Sequence, residues 1–147
     1  MPICLNLGEK MILIKELRTL KYEIRSLCSA VAILKDAVSN GLGMSNFGNI
    51  QDNINMLFDK VDNTNKIYMS LSEEVCGTED WVEISLLLQE IKSLFVILKY
   101  SLKSKRTEVA IDDIFNCLNV IFKYLQETLA HAVKIVKMYP EDNVYQI

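Results

Sequence analysis

The sequence predicts an all-α protein: an antiparallel, up-down-up-down four-helix bundle with long helices. Three observations predict it. Apolar residues recur at alternating steps of four and three along four segments, which lays one greasy stripe down each of four helices. No segment sustains the period-two alternation of a half-buried strand. The joins between stripes are short and carry helix-ending and helix-starting residues, which favours antiparallel neighbours. Half of the 147 residues are hydrophobic, 24% are charged, and Gly and Pro number only 5 and 2. That composition supports a sizeable core and excludes collagen-like and low-complexity chains. The expected organisation is a single helical-bundle domain over residues 1–147, with helices at about 9–39, 49–75, 79–103 and 108–139.

The first stripe is Leu13, Leu17, Leu20, Ile24, Leu27, Val31, Leu34 and Val38. Gly41 suits the left-handed position past a helix C-terminus, so Asn40-Gly41 is read as a cap rather than a hairpin turn. The second stripe is Ile50, Ile54, Leu57, Val61, Thr64, Tyr68 and Leu71, with Thr64 its one weak layer. Gly77 is expected to end that helix, and Thr78 to cap the next. Glu79, Asp80 and Glu83 then place negative charge where the helix dipole is positive. The third stripe reads Ile84, Leu87, Ile91, Leu94 and Leu98, flanked by Leu88, Phe95 and Leu102. Thr107 is the next cap. The fourth stripe is Ile111, Ile114, Leu118, Ile121, Leu125, Thr128, Ala132 and Ile135, with Pro140 as its stop. Stripes with alternating three and four steps pack at crossing angles of roughly +20°. Ile24, Leu57, Leu94 and Ile121 are expected to share the interior.

The net charge is −3, and its distribution is uneven. Residues 50–91 hold nine acids against two bases. Residues 92–106 hold Lys92, Lys99, Lys103, Lys105 and Arg106 and no acid. An acidic chain with one basic knot disfavours nucleic acid as a partner. The knot fits two roles. Bases at a helix C-terminus complement the dipole. Alternatively, Lys99, Lys103, Lys105 and Arg106 bind an anionic surface such as acidic lipid headgroups. The longest mainly apolar uncharged runs, Ser26–Leu34 and Ile114–Phe122, are nine residues, short of the about 20 that a membrane span needs. Pro2 stands where myristoylation needs glycine. The expected location is cytoplasmic, with peripheral membrane contact on activation.

Catalytic chemistry has no positive signal. The four cysteines include no C-x-x-C pair and the chain has one histidine, so no zinc or di-iron site and no cofactor is expected. Cys28 and Cys117 lie among apolar residues, as small hydrophobes do. His131 would need a partner from another helix to act in catalysis, and no Arg stands four to six residues before it, as in the HEPN ribonucleases. Adjacent carboxylates such as Asp112-Asp113 point about 100° apart on a helix and share no site. The chain is read as non-enzymatic.

Apolar residues in excess of one stripe per helix carry the remaining functional signal. Met11, Ile12, Ile14, Met44, Phe47, Phe95, Val96, Ile97, Phe115 and Phe122 either thicken the core or form a second strip that binds a partner helix or a like subunit. Trp81 is a candidate anchor in such a contact, or a lid over the core end, and Phe95 is the second candidate partner contact.

Leu5-Asn6-Leu7-Gly8 ahead of a long amphipathic helix, the Leu-rich stretch from Leu17 to Asp36 and the spacing of Ile50 to Ser72 resemble the four-helix N-terminal modules of cell-death and immune proteins. These comprise the bundle of the mixed-lineage kinase domain-like pseudokinase, the fungal HeLo domains and the coiled-coil domains of plant immune receptors. Glu79-Asp80-Trp81-Val82-Glu83 resembles the acidic motif of the last group. The likeness covers about residues 5–100. The fourth helix is longer than the family pattern, and the 147 residues include no kinase or nucleotide-switch domain. The resemblance implies a signalling adaptor or executor that self-associates and engages membrane through basic residues. The alternative is a Bcl-family-like helical inhibitor, viral or cellular, that captures an amphipathic helix. That fold calls for a central helix apolar all round and shorter surrounding helices, whereas four long stripes are present here.

Overall fold

A computed structural model describes residues 7–40, 47–72, 75, 78–103 and 107–139, with residues 47–49, 103 and 107–110 described by backbone alone. The described residues form four α-helices and no strand: α1 (Leu7–Ser39), α2 (Phe47–Leu71), α3 (Glu79–Lys103) and α4 (Thr107–Lys137). The all-α class and the four long helices follow the stripes.

α1 and α2 each begin two residues earlier than expected and α4 one earlier, and two helices end early for a local reason. α2 stops at Leu71, not near residue 75, because Ser72 N–H donates to the Met69 carbonyl at 3.3 Å and tightens the last turn. Val75 N–H then donates to the Leu71 carbonyl at 3.0 Å, and the Val75 side chain turns back into the core. α4 gives way to the same tight geometry after Lys137, where Met138 and Tyr139 donate to the Ile135 and Val136 carbonyls. Gly41, Gly77 and Pro140, the expected terminators, lie outside the described residues, as do Met44 and the side chains of Phe47 and Thr107.

The start of α3 is capped as its sequence predicts. Thr78 Oγ1 accepts from Trp81 N–H at 3.3 Å, and the Thr78 carbonyl accepts from Trp81 and Val82 N–H at 3.1 and 3.2 Å. Donors that the first turn would leave orphaned are thereby satisfied.

Each helix packs against its neighbour in sequence, and α4 closes the ring against α1; no close backbone approach joins the diagonal pairs. The interior has two clusters. One gathers the second half of α1 (Leu27 to Val38), the first half of α2 (Ile50 to Val61), the second half of α3 (Ile91 to Leu102) and the first half of α4 (Ile114 to Leu125). The other gathers Leu13 to Ile24 of α1, Tyr68 and Leu71 of α2, Val75, the first half of α3, and Ala132 and Ile135 of α4. Thr64 and Thr128 fall between the clusters along their helices, both fully buried. Each hydroxyl donates to the carbonyl four residues back, Lys60 at 2.8 Å and Tyr124 at 2.7 Å, so neither is left unpaired.

The stripes of α1 and α2 are buried at every predicted position. In α3 four of the expected stripe positions, Ile84, Leu87, Ile91 and Leu98, are buried together with the flanking Leu88, Phe95 and Leu102, while Leu94 is half-buried against the first cluster. Its half-burial follows from composition: α3 carries the neighbouring apolar pair Leu94-Phe95, and the spacing admits either residue. Ile24 lies in the other cluster from Leu57 and Ile121, so the four expected to meet do not share one layer. Ile111 of α4 is likewise half-buried at the edge.

Candidate functional site

The two aromatic residues expected to meet a partner are interior. Phe95 is 0% exposed and Trp81 4%, so neither offers a surface in this bundle. Phe95 is fully buried where its neighbour Leu94 is only half-buried. Trp81 caps the second cluster as a lid: its ring stacks on Tyr68 at 4.2 Å between centroids and 21° between planes. Tyr68 Oη donates to the Trp81 carbonyl at 2.7 Å, and burial raises the Tyr68 phenol above its ordinary pKa despite hydrogen bonds with Ser85 and Ser72. Trp81 Nε1 is buried without an acceptor among the described residues. An unmade bond of that kind costs about 1–3 kcal/mol, set here against the large apolar area of the indole.

The same end holds a polar clamp that the sequence did not disclose. Asp80, in the first turn of α3, lies 2.7 Å from His131 Nδ1 on α4, with Lys134 Nζ at 3.9 Å from the same oxygen. In a nucleophile triad, an aspartate that orients an imidazole is joined by a hydroxyl or thiol at the other ring nitrogen. Cys117 is on the same helix but about 21 Å away along its axis. Cys28 belongs to the first cluster. Both thiols are raised by burial, Cys117 to about 11, and Cys117 Sγ donates to the Leu94 carbonyl at 3.6 Å. They are protonated, inward-facing thiols at neutral pH. Cys4 and Cys76 lie outside the described residues. The Asp80–His131 pair ties α3 to α4. Its signal in the sequence is weak, because Asp80 reads equally as a dipole-complementing first-turn acid.

Of the basic knot, Lys99 Nζ sits 4.3 Å from the centroid of the Phe58 ring on α2. Lys35 does the same over Phe122 at 4.7 Å. Lys105 and Arg106 lie outside the described residues, as does the side chain of Lys103. Lys92 is held by Asp62 at 3.1 Å, and Lys66 approaches the same carboxylate at 3.7 Å. The hydrogen bond from Lys92 and its charge keep the Asp62 carboxyl below the usual carboxylate range. Part of the basic segment of α3 is thus taken up by the acidic, aromatic surface of α2.

The outward side of α3 is different. Val82, Leu86, Gln89, Ser93, Val96 and Tyr100 follow one another at steps of four and three, and all are exposed. Leu86, Ile97 and Tyr100 are 52%, 56% and 69% exposed. No charged residue interrupts this row; Glu90 stands at its edge. α3 thus carries a core stripe and, on its back, a second apolar seam of the same spacing. Val96 belongs to it and Ile97 is exposed at its edge, whereas Ile14 of the sequence-predicted excess is core, and Phe115 and Phe122 are half-buried against the first cluster. Other exposed apolar residues, such as Ile33, Met56 and Met69, make no comparable row with their neighbours.

Among the described residues no helix is long and apolar enough to cross a membrane, and no group of three or more His, Cys, Asp or Glu is placed to hold a metal ion. No protein-family model, curated protein or solved structure gives a significant match to the chain.

Proposed function

We propose that the chain is a non-enzymatic helical-bundle interaction module that works by protein–protein contact and self-associates through the outer face of α3. The observation that carries this reading is the uncharged exposed seam from Val82 to Tyr100. A helix in a self-sufficient bundle needs one apolar stripe; a second on the opposite side is surface that association covers. In this reading the four rods alternate in direction. Support comes from the clusters, each of which joins the second half of one helix to the first half of the next.

The reading extends to the role implied by the resemblance, a cytoplasmic cell-death or immune adaptor or executor that meets anionic membrane on activation. Its support is the run of Lys99, Lys103, Lys105 and Arg106 with no acid among residues 92–106. Near an anionic surface each base contributes about 1 kcal/mol.

Multi-angle light scattering tests the association. A concentration-dependent mass above 16.8 kDa is expected, with the Leu86→Glu/Ile97→Glu variant returning to the monomer mass while its circular dichroism is unchanged. A chain that remains at 16.8 kDa up to millimolar protein overturns it. Co-sedimentation with phosphatidylserine vesicles tests the membrane role: binding is expected, and is lost when the four bases are changed to Glu. No binding by the unsubstituted chain ends that part of the reading.

A further inference from the structure

We infer that two copies pair through α3 in antiparallel orientation, about a two-fold axis between Gln89 and Ser93, with the acidic first half of each helix lying along the basic second half of the other. The inference rests on the proposed self-association and adds its geometry. The seam of Val82, Leu86, Gln89, Ser93, Val96 and Tyr100 has the step order four, three, four, three, four, which reads the same in both directions. Reversal about its midpoint therefore lays the seam on itself without an uncovered end. Val82 meets the second copy's Tyr100, Leu86 meets Val96, and Gln89 meets Ser93. That is the self-complementary arrangement a two-fold interface requires. The central Gln89 amide can donate to the Ser93 hydroxyl, so the two polar residues at the middle of the seam face each other.

A parallel pairing would cover the same seam, and charge along the axis separates the two. α3 begins with Glu79 and Glu83 and ends with Lys99 and Lys103; Asp80 is held on the α4 side by His131 and Lys99 on the α2 side over Phe58, so these charges act across the seam rather than as contact pairs. Parallel copies would lay acid beside acid and base beside base, and would align the two helix dipoles unfavourably. Antiparallel copies reverse both terms. The seam is about 27 Å long. A single helix pair of that length lies at the small end of protein interfaces, so the dimer is one that dissociates on dilution.

Cross-linking on the full chain tests the orientation. In a background with Cys4 and Cys76 changed to Ser, Val82→Cys mixed with Tyr100→Cys is expected to give a covalent dimer under mild oxidation. Val82→Cys alone is expected to give none, because the two copies of residue 82 stand about 27 Å apart along the axis. In a second measurement, Leu86→Cys is mixed with Val96→Cys, which is likewise expected to give a covalent dimer, whereas Leu86→Cys alone is expected to give none because its two copies stand about 15 Å apart along the axis. A Val82→Cys homodimer, or no mixed disulfide in a sample that light scattering shows to be dimeric, overturns the antiparallel geometry and leaves self-association standing. A monomer at every concentration overturns both.

Discussion

Cys117 shows at the scale of one residue how burial converts into pH dependence. Burial raises its thiol to about 11, against about 8.5 for a free cysteine. A group whose folded pKa lies above its unfolded value stabilises the fold fully below the unfolded value. That contribution is lost as pH rises through the folded one. Urea midpoints are therefore expected to fall between about pH 8.5 and 11, and Cys117→Ala is expected to flatten that fall. Burial raises Tyr68 in the same direction, so only the difference between the two chains isolates Cys117. Equal slopes would contradict the assignment. The same protonation predicts slow alkylation of Cys117 at neutral pH, read site by site in a mass spectrum. Asp80 gives a second single-residue test, of stability alone. It accepts from His131 and stands in the first turn of α3, so Asp80→Ala is expected to cost about 1–3 kcal/mol in urea unfolding. A double-mutant cycle with His131→Ala is expected to leave about 1 kcal/mol of coupling. Additive single effects would mean that the clamp contributes nothing beyond its parts.

Among the elements, legibility in the sequence follows how sharply each helix separates its faces. α1 and α2 alternate apolar with polar or charged residues closely enough that every stripe position is interior. α3 does not: Leu86-Leu87-Leu88 and Phe95-Val96-Ile97-Leu98 leave its rotation undecided until the other three helices are in place. That ambiguity hid both the full burial of Phe95 and the outer seam, since packing decides which apolar neighbours turn inward and which face water. The Thr78 cap was legible because it needs only local chain. The Asp80–His131 clamp was not, because residues 51 apart meet only through packing. Burial depth gives α3 a sharp test. Phe95→Glu is expected to unfold the bundle, costing several kcal/mol for a charge placed in the interior. Ile97→Glu is expected to leave unfolding within about 0.5 kcal/mol of the original. If Ile97→Glu destabilised as much as Phe95→Glu, the outward face of α3 would be misassigned.

The whole molecule has a core divided in two, and the division has an identifiable origin. Thr64 on α2 and Thr128 on α4 occupy stripe positions between the two apolar clusters, on helices that are diagonal in the ring. Their hydroxyls are satisfied within their own helices, so the layer is tolerated, yet it contributes less apolar burial than Val or Ile would. Each carbonyl keeps its own helical partner when the hydroxyl is removed, so nothing is left unpaired by Thr→Val. The Thr64→Val/Thr128→Val pair is therefore expected to stabilise the protein by about 1 kcal/mol. It is also expected to couple the halves. In native-state hydrogen exchange, amides around Leu17 and Ile84 and amides around Leu57 and Leu118 are expected to open with separate free energies in the unsubstituted chain. In the double variant those values are expected to converge on that of global unfolding. A loss of stability on substitution would show that the threonine layer holds the helices at a spacing that the larger apolar contact disturbs, and that the two clusters are one cooperative unit already.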